Sequence, residues 1–200
     1  MSRKALSTVS IFINYRTDDD GYAAAAVDER LRSVFGDEQV FRDCRSLDAG
    51  VEFSAELWRA LRGCRVLLAM VGPHWLTLTD HSGRRRIDAP DDFVRREIAE
   101  ALRLGKRVVP VLLDNTRLPD PAALPADIAE ICRHQSRVLR VRHSTDDLDI
   151  LVRDLRALVP AATPAAATQV IRHGGVTFNG NPRIRGDVVA GDKPVHGGQP

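Results

Sequence analysis

Hydrophobic positions alternate along this chain between short continuous runs and stretches of helical period. Residues 9–14 (VSIFIN) are a β-branched and aromatic run of strand length, followed by a polar segment and then by Ala23, Val27, Leu31 and Val34 or Phe35 at helical spacing. Asp19 or Asp20 is placed to cap that helix, and Gly36 with Asp37 to end it. Residues 39–41 predict a short second strand, and 42–50 (RDCRSLDAG) an exposed loop. Ser54 then caps a helix carrying Leu57, Trp58 and Leu61, which Gly63 stops. The run at 65–72 (RVLLAMVG) is apolar without interruption, as expected of a central parallel strand covered on both faces.

A polar connection at 74–90 carries Trp75, Arg84, Arg85, Arg86 and Asp88. Its length predicts a segment that lines or covers a site. A helix over 91–105 follows, then a fourth strand over 107–114 (RVVPVLLD), in which Pro110 lacks the N–H of a ladder and predicts an edge position or a local irregularity. Pro119, Pro121 and Pro125 mark irregular chain before a short helix at 126–132. Residues 136–141 read as a fifth strand, and 145–158 as a last helix on Leu148, Leu151, Leu155 and Leu158. Five strands alternating with helices predict an α/β protein with a flavodoxin-like, doubly wound parallel sheet of order 2-1-3-4-5. Its topological switch lies between strands 1 and 3. Three segments converge there: the loop after strand 1 (14–20), the loop after strand 2 (42–50) and the stretch after strand 3.

The helix over 91–105 (DDFVRREIAEALRLG) holds the most informative residue. At about 100° per residue, Phe93, Leu104, Ala101, Val94, Ile98 and Leu102 fill one apolar arc, and Glu97 falls inside it. A carboxylate on a buried stripe belongs at the edge of a pocket, or else leans out to pair with a neighbouring arginine. Arrival of the same helix at the switch point is an independent reason to single out Glu97.

Composition narrows the class. The chain has 200 residues, 44% apolar and 28% charged, an ordinary soluble balance with room for more than one unit. A net charge of +2 with scattered arginines gives no footprint for nucleic acid. No apolar run nears a membrane span, and the start, MSRKALSTVSIFINY, has a strand where a signal peptide needs its apolar stretch, so a cytoplasmic location is expected. Cys44, Cys64 and Cys132 are odd in number without C-x-x-C spacing, and the histidines show no paired spacing, so neither a disulfide framework nor a metal site is indicated. A compact domain is expected over 1–159, an alanine, proline and threonine linker over 160–170, and a glycine-rich tail over 171–200. That tail is either disordered or forms short β segments that dock on a partner or on copies of itself.

Other proteins of this fold fail on particular residues. The end of strand 3 reads Ala69, Met70, Val71, Gly72, without the acceptor aspartate of a phosphorylated receiver. The loop NYRTDDDG repels the phosphate that a flavodoxin holds after strand 1. G-x-G-x-x-G, G-x-x-x-x-G-K-[ST] and H-E-x-x-H are all missing. Taken together, IFINYRTDD, VFRD with SLDAG beyond it, a hydrophobic strand ending in GPHWL, and DDFVRREI followed by GKRVVPVLLD and LP resemble a TIR domain of the bacterial kind, over residues 9–159.

The resemblance implies an NAD⁺ glycohydrolase or cyclase acting without a cofactor, NAD⁺ being the substrate. It places the catalytic glutamate on Glu97 and the dinucleotide contacts of the strand-1 loop on Tyr15 and Arg16, beside Asn14, and it sets the loop after strand 2 at 43–53, beginning at Asp43. Asn14 stands where a serine is common, and Phe93 where tryptophan is common. Arg16 is a candidate for the pyrophosphate, with Arg42 and Arg45 as further candidates, and Tyr15 and Trp75 offer aromatic faces. Trp75 could equally anchor its loop, and Asp43 could cap its own. The family commonly works as a homo-oligomer, so self-assembly is expected, with a signalling partner reached through 171–200. The alternative is a TIR interaction module without catalysis, in which 44–53 is a protein-binding surface and Glu97 a structural charge.

Overall fold

The computed structural model describes residues 9–42 and 53–159, and the backbone of 172–173 and 176–177. The chain divides into two compact units, 1–162 and 163–200. In the first, β1 (Ile11–Asn14), β2 (Val40–Arg42), β3 (Val66–Val71), β4 (Arg107–Leu113) and β5 (Arg137–Leu139) form one parallel sheet in the order β2-β1-β3-β4-β5. The helices are α1 (Thr17–Phe35), α2 (Phe53–Gly63), α3 (Phe93–Arg103) and α4 (Ser144–Arg156). The doubly wound order expected from the alternation is the one observed.

Period two in the strands explains why their apolar runs are continuous. Ile11 and Ile13, Val66, Leu68 and Met70, and Val111 and Leu113 point to one face, where Ala24, Val27 and Leu31 of α1 and Leu148, Leu151 and Leu155 of α4 cover them. Phe12, Leu67, Ala69, Val71 and Leu112 point to the other, under Leu57 and Leu61 of α2 and Val94, Ile98 and Ala101 of α3. Every residue of β3 is buried. Asn14 shares the parity of Phe12, so the last side chain of β1 faces α3. That parity brings a polar group of β1 to the helix carrying Glu97.

Several boundaries differ from the pattern-based expectation, each for a local reason. α1 starts at Thr17, so Asp19 and Asp20 lie inside its first turn; Arg16 is the N-cap residue, in extended conformation, without a side-chain cap bond. Asp19 is drawn away because its Oδ1 accepts the His74 backbone N–H at 2.8 Å. Gly36, at φ 93°, ends the helix as expected. α2 begins at Phe53, which puts Ser54 inside it. Chain 126–132 resolves into a short 3-10 helix at Ala129–Arg133.

β4 is not an edge strand, contrary to the reading of Pro110. It lies between β3 and β5. β5 pairs only with 111–113, leaving the amino half of β4 with β3 on one side alone. On the open side the Val108 carbonyl accepts a hydrogen bond from His134 Nδ1 at 2.9 Å, and Pro110, two residues on, turns its missing N–H to that same side. The irregularity is a short partner strand. In the second unit, β6 (Arg172–His173) and β7 (Val176–Thr177) pair antiparallel, Arg172 with Thr177 and His173 with Val176. Whether that tail docks or assembles lies outside the described residues.

Candidate active site

The carboxyl ends of β1 and β3 and the first two turns of α3 meet at the switch point. Asn14, in register with Ala69, is fully buried, and its Nδ2 donates to the Val94 carbonyl at 3.2 Å and to Glu97 Oε2 at 2.7 Å. Glu97 is 5% exposed. The carboxylate is sheltered, on the sheet-facing side of α3 as the helical arc implies, and its Oε2 accepts an amide N–H from the neighbouring strand. A charged acceptor bonded by a fixed donor in a low-dielectric setting is oriented as well as stabilised. Asn14 Oδ1 is buried and accepts no hydrogen bond from the described residues.

Two residues on, Arg16 enters a second buried pair. Its Nη1 and Nη2 donate to Asp92 Oδ2 and Oδ1, both at 2.9 Å, with side-chain exposures of 1% and 4%. Asp92 also caps α3 by accepting the Arg95 backbone N–H at 2.9 Å. This differs from the expectation that Arg16 offers its guanidinium to a pyrophosphate. The planar fork matches a carboxylate in two parallel bonds, and Asp92, fixed at the start of α3, takes both. Arg16 thus ties the loop after β1 to the start of the helix that carries Glu97. Arg86 Nε lies 3.9 Å from Asp92 Oδ2, and Arg86 Nη1 donates to Asp18 at 3.0 Å, which draws the long connection onto the same edge.

The aromatic candidates exchange roles. Trp75 is 1% exposed and belongs to the core cluster under α2 and α3, so it anchors its loop. Phe93, expected on the buried arc, is 46% exposed at the first position of α3, with the Arg96 guanidinium 5.6 Å from its ring centroid. It lies one turn before Glu97 and on the same side of the helix. Tyr15 is 8% exposed, packs in the other core cluster and carries the Arg42 guanidinium 5.7 Å from its ring centroid. Arg42 is itself buried, 3.2 Å from the fully buried Asp28 of α1, so it is a structural cation. Asp43 and Arg45 fall outside the described residues, as does most of the segment 43–53.

Three contributors were not singled out from sequence as parts of the site. Asp92 had a readable signal, an aspartate directly before an apolar-periodic stretch, the usual mark of an N-cap. Asp28 had a weaker one, its i,i+4 spacing to Arg32, whose Nε donates to it at 2.6 Å. Gly72 had none. A Cβ there would lie 2.5 Å from Asp19 Oδ2, so only glycine lets the Asp19 carboxylate approach the end of β3 and hold the His74 amide.

Fold and site together define a doubly wound α/β domain with a sheltered carboxylate beyond the carboxyl edge of its sheet, at the switch point. A family model described as the TIR domain matches residues 11–151, most of the chain. The protein belongs to the TIR domain family. Among solved structures it is similar to the TIR domains of the activated Roq1 resistosome, which directly recognizes the pathogen effector XopQ. That likeness has a TM-score of 0.53 at 11% identity over 74% of this chain and 99% of the other, and at such identity it concerns the fold.

Proposed function

We propose that this TIR domain cleaves the nicotinamide N-glycosidic bond of NAD⁺ with Glu97 as its catalytic residue, in a cytoplasmic signalling or defence role. The observation that carries the reading is the Asn14 Nδ2 to Glu97 Oε2 bond of 2.7 Å at the switch point. In NAD⁺ the departing ring is a pyridinium. The bond from the anomeric carbon to the ring nitrogen breaks, the electron pair leaves with nicotinamide, and the ring becomes neutral without a proton. No general acid is required, whereas an ordinary glycoside needs two carboxylates to divide the work. Glu97 would hold the ribose hydroxyls and stabilise the oxocarbenium-like charge that develops at the anomeric carbon, an effect that grows in a water-excluded setting. Water then gives ADP-ribose and a proton, and an internal nucleophile gives a cyclic isomer.

Asn14 and the Arg16–Asp92 pair act in this scheme as positioning groups, and Phe93 supplies the exposed aromatic surface beside the carboxylate. The Roq1 resistosome is an assembly. Its likeness supports the further proposal that this domain works as a homo-oligomer. The competing reading, an interaction module without catalysis, is favoured by one feature: a carboxylate 5% exposed and bonded to Asn14 also suits a purely structural charge. Incubating the concentrated full chain with NAD⁺ and following nicotinamide by chromatography separates the two. Release above the uncatalysed rate is the expected result, and no release at any protein concentration sinks the enzymatic reading.

A further inference from the structure

The opposite edge of the sheet holds a cleft that the reaction at Glu97 does not use. Because β5 begins only at Arg137, the amino half of β4 is left open, and a cleft of about 810 Å³ forms between it, the chain leading into β5 and the last turns of α4. Five cations line it, Lys106, Arg107, Arg133, Arg137 and Arg153, against the single carboxylate of Asp154. Asp154 is already paired with Arg137. Lys106 Nζ is bound to a neutral carbonyl, that of Arg62, at 2.7 Å. No ion pair or hydrogen bond of the Arg107, Arg133 or Arg153 side chains is found among the described residues. The whole chain carries a net charge of only +2, so this one concavity concentrates more positive charge than the molecule has in excess.

Like charges around a concave, low-dielectric wall repel one another and focus a positive potential into the cleft. The floor, by contrast, is apolar, with Leu151 and Leu155 of α4 buried beneath it. A bare phosphate would leave that floor and most of the volume unfilled. The volume and the mixture of apolar and polar lining suit a ligand of nucleotide size.

We infer that this cleft binds a nucleoside phosphate, its phosphates on Arg107, Arg133 and Arg153 and its base over the α4 floor, at a site separate from Glu97. The inference does not depend on NAD⁺ cleavage. Its test is a titration of the full chain with ADP at low ionic strength, followed by the methyl NMR signals of Val109, Leu151 and Leu158. Those signals are expected to shift saturably. The triple variant Arg107→Ala, Arg133→Ala, Arg153→Ala is expected to bind at least about tenfold more weakly, while Glu97→Gln binds unchanged. All three arginines are exposed, so the triple variant should remain folded; Arg153→Glu alone, which keeps the other two, gives a second reading in the same direction. Methyl signals that do not respond to ADP, or equal affinity in the triple variant, overturn the inference. So does a response to long single-stranded oligonucleotide alone, which would make the cleft part of an extended polyanion surface.

Discussion

Asn14 spends one nitrogen on two acceptors, Val94 O and Glu97 Oε2, and so links the end of a strand to the chemistry of a helix. Asn14→Ala would remove one donor from a buried carboxylate, and a loss of about 1–3 kcal/mol in urea denaturation is expected, together with reduced turnover. Asn14→Asp should be worse, since it sets two carboxylates against each other. Trp75→Ala is expected to cost about 3–5 kcal/mol by opening the core, whereas Phe93→Ala should change stability by less than about 0.5 kcal/mol and act on the KM for NAD⁺. Thermal melts and steady-state kinetics on the pair distinguish anchor from platform. Burial pushes the Cys64 thiol up to about 11 from an ordinary value of 9.0. The folded state thus holds the proton more tightly, and the stability this gives is full below pH 9 and fades as pH rises toward 11. Denaturation midpoints should fall over that window, by less in Cys64→Ala.

At the scale of elements, α3 depends on one residue used twice. Asp92 closes the first turn through Arg95 and receives the fork of Arg16. Removing either partner takes from a buried charge the group that binds it through two parallel bonds, so Arg16→Ala or Asp92→Ala should each cost about 3–5 kcal/mol, and the double variant should fall well short of their sum in a thermodynamic cycle. On α4, Asp147 accepts from the Arg140 backbone at 2.8 Å and from its guanidinium at 3.0 and 2.7 Å, and these bonds hold its carboxyl below the ordinary 3.8. A depressed value stabilises the fold above that ordinary range, and the contribution is lost as pH falls through it. Asp147→Asn should therefore flatten the loss of stability between neutral and acid pH. Helical period and strand length made these elements legible, and the inward carboxylate on α3 could be read from the same period. Partner choice could not: Arg16 to Asp92 spans 76 positions, and no local pattern encodes a contact formed only when β1 and α3 meet. Pro110 misled for the same reason, because a proline is tolerated beside a short partner strand and strand lengths are set by packing.

For the molecule as a whole, the sheet separates two chemistries. Its carboxyl edge gathers the Glu97 carboxylate with Asn14, Arg16 and Asp92, and its amino edge gathers cations with little to balance them. The first could be anticipated because strand order follows from the alternation of elements, and strand order sets which loops meet. The second could not, since its residues are scattered between Lys106 and Arg153 and share no motif. The central claim is that one sheltered carboxylate carries the reaction, and the most direct measurement is the kcat for nicotinamide release by Glu97→Gln, an isosteric change, beside the unaltered protein, with circular dichroism and melting temperature recorded on both. A fall of about 10²–10³-fold with the fold intact is the predicted result. Undiminished release by the folded variant would contradict the account.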